Sequence, residues 1–432
     1  MGEDLLRISE LGQAIGREVE IEGWIVGVRK SGGIRFLQLR DGSGRVQAVA
    51  REGDLAPGVW ERTDDLSQET SVRLVGACRA DARAPGGVEL DLRGVEIVGN
   101  SADYPIQPKE HGIDFLLDRR HLWLRADRQA AILRVRHVFT QAVRDWLDRE
   151  GFIGADTPIL TPSACEGTTT LFETTYFDQK AYLSQSGQLY NEALAMALGK
   201  VYCFAPAFRA ERSKTRRHLI EFWMVEPEMA YCDLDGCLDI VERMLSSALQ
   251  ELARRCPEEL RLVGRDPADL EKVRPPFPRI TYDEALRILE EAGIGIPWGE
   301  DFGAPHEAAI SSRFDLPVFV HRYPTQAKAF YMKPDPARPE VVLSADLLAP
   351  EGYGEIVGGG QRIDDYELLL QRLEEHQLPV ADYEWYLDLR RYGSVPHSGF
   401  GLGIERTLAW VLRLEHVREA IPFPRMLYRL QP

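Results

Sequence analysis

Residues 201–231 read V-Y-C-F-A-P-A-F, then R-A-E-R-S-K-T-R-R-H-L-I, then E-F-W-M-V-E-P-E-M-A-Y. Two apolar, aromatic-rich runs, Val201–Phe208 and Glu221–Tyr231, predict strands, and between them lies the densest positive cluster of the chain. The segment therefore reads as a hairpin with a basic loop. Arginines at both ends of such a loop, Arg209 and Arg217, can grip a polyphosphate, because a guanidinium donates paired hydrogen bonds to phosphate oxygens. Phe222, just inside the returning strand, offers a ring face to a purine. A solvated charged turn is the competing reading of any charge run. The mixture of Arg, Glu, His and Phe between apolar strands weighs against it.

Outward from the hairpin, strand-like runs (Ala181–Ser184, Val341–Leu343) mix with helical ones (Gln129–Glu150, Leu234–Arg255, Tyr282–Glu291, Arg362–His376). In Gln129–Glu150 the apolar positions Ile132, Val135, Phe139, Val143, Trp146 and Leu147 follow the helical period, and Gly151 ends it. Strands neither alternate strictly with helices nor cluster, which predicts an α+β domain on a mainly antiparallel sheet with flanking helices. Residues 17–97 differ. Apolar alternation in Val19–Val28, Ile34–Leu39, Val46–Ala50, Val72–Cys78 and Val88–Ile97 is broken by Asp41-Gly-Ser-Gly44 and Ala84-Pro-Gly-Gly87. Five strands with a helical stretch before the fourth fit a five-stranded OB β-barrel, a fold that binds single-stranded nucleic acid on one face. A small β-domain with another role fits the pattern equally. A Pro-rich polar stretch follows, and the expected division is 1–100 barrel, 101–128 linker, 129–432 α+β domain.

The bulk properties agree with a folded chain of more than one domain. It has 432 residues, 44% hydrophobic and 28% charged. No apolar run approaches the roughly 20 residues of a membrane span, and the N-terminus lacks a secretory apolar core, so no membrane association and a cytoplasmic location are expected. Six scattered cysteines without a CxxC pair predict a reduced, zinc-free protein. A formal net charge of −16 excludes nucleic-acid binding by bulk charge and leaves only local basic grooves.

Two further constellations carry chemistry. Gly399-Phe-Gly-Leu-Gly403-Ile-Glu-Arg406 leads into a helical run Thr407–Leu412. Its glycines allow close backbone approach to a ligand, although a glycine turn packing a helix on a sheet is the simpler reading. In Asp346-Leu-Leu-Ala-Pro-Glu-Gly-Tyr-Gly-Glu355-Ile-Val-Gly-Gly-Gly360-Gln-Arg362, two carboxylates flank a turn and can share Mg²⁺ with substrate phosphates. The glycines then clear space for Arg362. Motifs of serine hydrolases, HExxH metalloproteases and P-loop enzymes are absent from the sequence.

Taken in order, these segments resemble the three signature motifs of class II aminoacyl-tRNA synthetases. Motif 1 is similar to Gly151-Phe152 with Asp156-Thr-Pro158-Ile-Leu, motif 2 to Phe208–Phe222, and motif 3 to Gly399–Arg406. The order of OB barrel, linker and motifs resembles subclass IIb, which handles Asp, Asn and Lys. Several strings look asparaginyl: Glu166-Gly-Thr-Thr, Ser184-Gln-Ser-Gly-Gln-Leu-Tyr190, Phe222-Trp-Met-Val-Glu-Pro-Glu228, Lys328-Ala-Phe-Tyr-Met332 and Ile421-Pro-Phe-Pro-Arg425. Where aspartyl enzymes carry a Lys that pairs with the substrate carboxylate, this chain has Asn191. Loss of that cation beside Arg362 favours a neutral amide.

The resemblance implies ATP-dependent attachment of asparagine to tRNA(Asn) through an asparaginyl-adenylate, with Mg²⁺. It implies that Arg209 holds the α-phosphate and the amino-acid carboxylate. Arg217 and Arg406 hold the γ-phosphate region with His218 nearby, Glu211 reads the adenine amino group, and Phe222 and Arg406 sandwich the ring beside Gly403. Asp346 and Glu355 bind Mg²⁺. Glu166, Ser186 and Gln188 fix the α-ammonium, Asn191, Gly359 and Arg362 surround the side chain, and Glu226 or Glu228 accepts from the side-chain amide or from the α-ammonium. Phe36, Gln47 and Arg29 meet the central anticodon base, and Pro158 lies in a homodimer interface. The rivals are an aspartyl enzyme of relaxed specificity, a tRNA-independent paralogue that amidates aspartate, and an inactive nucleic-acid-binding module.

Overall fold

The computed structural model describes residues 5–56, 58–166 and 171–432. The chain divides into two compact units, Met1–Leu116 and Leu117–Pro432.

In the first unit, β1 (Glu18–Ser31), β2 (Ile34–Arg40), β3 (Arg45–Arg51), β4 (Ser71–Ala80) and β5 (Val88–Gly99) close a barrel in the order β1-β2-β3-β5-β4. Only the β3–β5 pair is parallel. A four-residue helix, Val59–Arg62, precedes β4 as expected. Alternation sends Ile21, Ile25, Leu37, Leu39, Val46, Ala48, Leu74 and Leu90 inward. On β2 the alternation places Leu37 and Leu39 inside and Phe36 on the outer face.

The second unit is built on an eight-stranded sheet: β6 (Ile153–Gly154), β7 (Lys200–Phe208), β8 (Glu221–Ala230), β9 (Arg279–Thr281), β10 (Val318–His321), β11 (Ser344–Ala349), β12 (Gly354–Gln361) and β13 (His397–Gly403), in the order β9-β10-β11-β12-β13-β8-β7-β6. All neighbours are antiparallel except the outermost pairs, β9–β10 and β7–β6. Helices Asp127–Arg149 and Leu234–Arg255 cover one face and bury Val135, Phe139, Val143, Met244, Leu245 and Leu249 against strand residues such as Val225, Leu347 and Leu402. Burying large aliphatic side chains is worth about 1.5–3 kcal/mol each, so this layer supplies much of the rigidity on which the other face depends.

The structure corrects several boundaries. The helix expected from Arg362 starts at Tyr366, because the Asp365 carboxylate accepts the Leu368 N–H at 2.8 Å and caps it. Arg362 instead continues the strand, its N–H donating to His397 O at 2.9 Å. Residues 399–403 are strand rather than turn, and the helix after them begins at Ile404. The expected strand Val341–Leu343 belongs to a two-stranded side sheet (Pro334–Asp335 with Arg338–Val342), and the core strand is the next six residues. The 101–128 stretch carries short helices, Ile113–Asp118 and Arg120–Trp123.

Candidate functional site

The basic hairpin forms as read: β7 and β8 pair from Lys200↔Met229 to Phe208↔Glu221, so Arg209 leaves the sheet just where Phe222 re-enters it. Two adjoining cavities open on this face, of about 250 and 120 Å³. Arg209, Met224, Glu355 and Gly401 line both.

The smaller cavity brings together Glu211, Arg217, His218, Phe222, Gly403 and Arg406. Arg406 Nη1 donates to Glu355 Oε2 at 2.9 Å, and Arg217 Nη1 to Glu307 Oε2 at 2.8 Å. The second Glu307 contact is the Glu355 N–H at 2.9 Å. His218 stands 3.5 Å from Glu211, and burial, with Arg406 close by, lowers its pKa and keeps the imidazole neutral. Arg209 lies 5.6 Å from the Phe222 ring centre, and its Nε is buried without a hydrogen-bond partner. Burial opposes its charge, yet the Glu166, Glu355 and Glu211 carboxylates around it raise its pKa. The result is a cation at the junction of the two cavities with hydrogen-bonding capacity unspent.

At the far end of the larger cavity, Arg362 Nε and Nη2 grip Glu228 at 3.1 and 3.0 Å, both side chains only 2% exposed. The remaining Nη1 faces Met332 Sδ at 3.7 Å. Burial pushes the Glu228 carboxyl upward against the pull of the Arg362 guanidinium, and nearby Glu192 adds to the push. Gly399 is required here: a Cβ would stand 1.8 Å from Glu228 Oε2. Glu226 accepts from Ser186 Oγ and, at 2.9 Å, from the Gly187 N–H. Gln188 lines the cavity, and its Nε2 donates to Glu192 at 3.1 Å. Glu166 accepts from Tyr331 Oη at 2.8 Å. Residues 167–169, the rest of the Glu166-Gly-Thr-Thr string, lie outside the described residues. Gly359 lines the same cavity.

Asn191 is the sequence-derived candidate that the structure sets apart. It is fully buried and lines neither cavity; its Nδ2 donates to Glu226 O at 2.8 Å and lies 3.2 Å from Cys203 Sγ. Its amide supports the strand that carries Glu226, because the side chain projects from the helix Gln188–Leu198 into the sheet.

Asp346 and Glu355 converge. A Cβ on Gly358 would lie 3.0 Å from Glu355 Oε1 and 3.4 Å from Asp346 Oδ1, so both carboxylates lean over this glycine. An all-oxygen pair fits a hard cation such as Mg²⁺. Burial pushes the Asp346 carboxyl upward and Glu355 adds to it, against the pull of Lys328, whose Nζ is 2.6 Å from Oδ2. Among the described residues the one cluster of three candidate metal-ligating groups is Glu192, Glu228 and His397, and it is already satisfied by Arg390 and Arg362.

The sequence reading missed Glu307, Tyr331 and the role of Lys328 as a partner. Lys328 and Tyr331 belong to the Lys-Ala-Phe-Tyr-Met stretch at 328–332; Glu307, on the helix Ala304–Ser311, had no local signal.

In the barrel, Arg29, Phe36 and Gln47 stand on three adjacent strands, β1, β2 and β3. The Arg29 guanidinium lies 4.4 Å from the Phe36 ring centre, and Gln47 Nε2 donates to Glu89 at 2.7 Å. Pro158 is exposed beside Ile153, Ile159 and Leu160, which are 43–47% exposed, and β6 is an edge strand. No helix among the described residues is long and apolar enough to cross a membrane.

Comparison with known proteins gives a consistent result. The family model described as tRNA synthetases class II (D, K and N) matches residues 112–427, and the OB-fold nucleic acid binding domain matches residues 19–98. Asparagine–tRNA ligase from Desulforamulus reducens is 58% identical over 98% of this chain and 99% of that one, and the ligase of the same name from Pelotomaculum thermopropionicum is 57% identical with the same coverage. The crystal structure of asparaginyl-tRNA synthetase from Pyrococcus horikoshii complexed with asparaginyl-adenylate superimposes with a TM-score of 0.97 at 45% identity, covering 100% of both chains.

Proposed function

The chain belongs to the class II tRNA synthetases of the D, K and N group, and on that basis we propose that it joins asparagine to tRNA(Asn) in two steps at the pair of cavities described above. The asparagine carboxylate attacks the α-phosphorus of ATP, releasing pyrophosphate and leaving asparaginyl-adenylate. A hydroxyl of the tRNA 3′-terminal ribose then takes the acyl group and AMP departs. The observation that carries this reading is Arg209, a half-buried guanidinium with an unpartnered Nε at the junction of the cavities. A fixed cation there stabilises charge on the α-phosphate as it develops and holds the attacking carboxylate beside it.

The smaller cavity takes the adenine, with Phe222 and Arg406 on the ring faces, Gly403 beneath, and Glu211 accepting from the exocyclic amine. Arg217, Arg406 and the neutral His218 meet the outer phosphates. Asp346 and Glu355 would hold Mg²⁺, which would neutralise triphosphate charge. Glu166, Ser186 and Gln188 receive the α-ammonium. The side-chain amide meets Glu226, Gly359 and the Arg362–Glu228 pair. Because Glu228 cancels the Arg362 charge, an aspartate carboxylate finds no net cation at that end, whereas a neutral amide finds both a donor and an acceptor. Asn191 contributes by bringing no charge and by supporting Glu226.

Arg29, Phe36 and Gln47 receive the central anticodon base, stacked on Phe36. Pro158, the exposed Ile153, Ile159 and Leu160, and the β6 edge form a homodimer interface, which sedimentation at low concentration tests. The location is the cytoplasm. Parallel charging of tRNA with labelled asparagine and aspartate tests the whole reading: asparagine alone should be charged, and Arg209→Ala should abolish amino-acid-dependent pyrophosphate exchange. Aspartate charged as well as asparagine would refute the specificity.

A further inference from the structure

Seven carboxylates line the larger cavity against three cations, Arg209, Lys328 and Arg362, and Arg362 is spent on Glu228. A polyphosphate entering such a site needs cations that can be released to it. Lys328 is placed for this. Its ammonium is 2.6 Å from Asp346 Oδ2, 3.7 Å from Asp301 and 3.9 Å from the centre of the Tyr323 ring, with 15% of the side chain exposed. A divalent ion on Asp346 would sit at roughly 2.0–2.1 Å from a carboxylate oxygen. Two cations on one carboxylate repel, so a metal on Asp346 Oδ1 weakens the hold of Oδ2 on the ammonium, and the ammonium in turn weakens the site for a metal.

We propose that Lys328 is the resident cation of the metal site, holding Asp346 until a metal–nucleotide complex arrives and then passing its ammonium to a phosphate oxygen. The inference rests on the assignment of Asp346 and Glu355 as metal ligands in the preceding section. Lysine suits the exchange better than arginine: its charge is compact, its three donors rotate freely, and its stem is flexible. The Tyr323 face gives the ammonium a second favourable surface beside Asp346. The consequence is order of binding. Free divalent ion competes with a built-in cation, while ion carried on ATP brings its own anion to receive that cation.

The test uses the full chain without nucleotide and Mn²⁺ alone, followed by electron paramagnetic resonance. Lys328→Met should bind Mn²⁺ about tenfold more tightly than the unaltered protein, and Lys328→Arg, which keeps the charge, should not. In asparagine-dependent pyrophosphate exchange, K328M should raise KM for ATP about tenfold with a smaller change in KM for asparagine. Lys328→Gln gives the same readouts should K328M not fold. Mn²⁺ binding no tighter in the folded, uncharged variants overturns the proposal, and tighter binding without a rise in KM for ATP overturns the transfer to phosphate. Asp346→Asn separates the premise from the inference. Loss of Mn²⁺ binding in D346N, with no gain in K328M, refutes the Lys328 proposal alone; Mn²⁺ binding unaffected by D346N removes the metal assignment and the proposal with it.

Discussion

Glu228→Gln should shift the amino-acid preference toward aspartate. In the native protein the carboxylate takes two hydrogen bonds from Arg362, at 3.0 and 3.1 Å, and both side chains are 2% exposed. The substituted amide would keep one acceptor and lose the charge, so the side-chain end of the cavity would gain one net positive charge. Unit charges about 4 Å apart at an effective dielectric near 20 attract by about 4 kcal/mol. Desolvating the aspartate carboxylate offsets on the order of half of this, leaving about 2 kcal/mol, or roughly 30-fold in the ratio of kcat/KM for aspartate to that for asparagine. Removing a partner from a buried pair also costs stability, up to about 3–5 kcal/mol, and less here because the amide oxygen still accepts. The assay is amino-acid-dependent ATP–pyrophosphate exchange with each substrate, beside a urea titration to establish that the variant is folded. A folded E228Q whose aspartate-to-asparagine ratio stays within about twofold of the parent would refute the argument that charge cancellation sets the preference.

Four further outcomes are expected. Arg209→Ala should lower kcat/KM for exchange by several kcal/mol, on the order of 10³-fold or more, with a urea titration beside it to establish that the variant is folded. Phe36→Ala should weaken tRNA binding by about 1–3 kcal/mol and leave pyrophosphate exchange without tRNA unchanged, since the stacking face it removes belongs to the barrel unit. His416 carries a pH dependence. Burial first, then Arg418 and Arg216, lowers its pKa to about 4, and its Nδ1 accepts the Arg418 N–H at 3.2 Å, which needs the neutral ring. A histidine depressed in the folded state contributes stability that is full above its unfolded pKa near 6.5 and is lost as pH falls from there toward 4. His416→Gln should therefore lose about 2 kcal/mol less than the parent between those pH values, read from denaturant midpoints. Glu307→Gln should raise KM for ATP, because it weakens the 2.8 Å contact that positions Arg217 and loosens the Glu355 backbone; an unchanged KM would make Glu307 a bystander.

Some of this protein was fixed by local sequence. Alternation with Gly and Asp breaks marked the five barrel strands, the helical spacing of Ile132 to Leu147 marked a long covering helix, and the basic loop between two apolar runs marked the hairpin that presents Arg209. These are short-range patterns, and short-range physics reads them. The inner strands β11–β13 escaped, because Ser344–Ala349, Gly354–Gln361 and His397–Gly403 are held by neighbours on both sides, and their glycines and small residues lack strand propensity of their own. Pairings across the chain were decided by tertiary structure alone: Arg362 with Glu228, Lys328 with Asp346, Glu307 with Arg217, and Asn191 turned behind Glu226 rather than into the cavity. Residue type announced that charges were present. Which charge is cancelled and which is left free for a substrate depends on distances of about 3 Å between residues up to 134 positions apart, and only the folded sheet sets those distances.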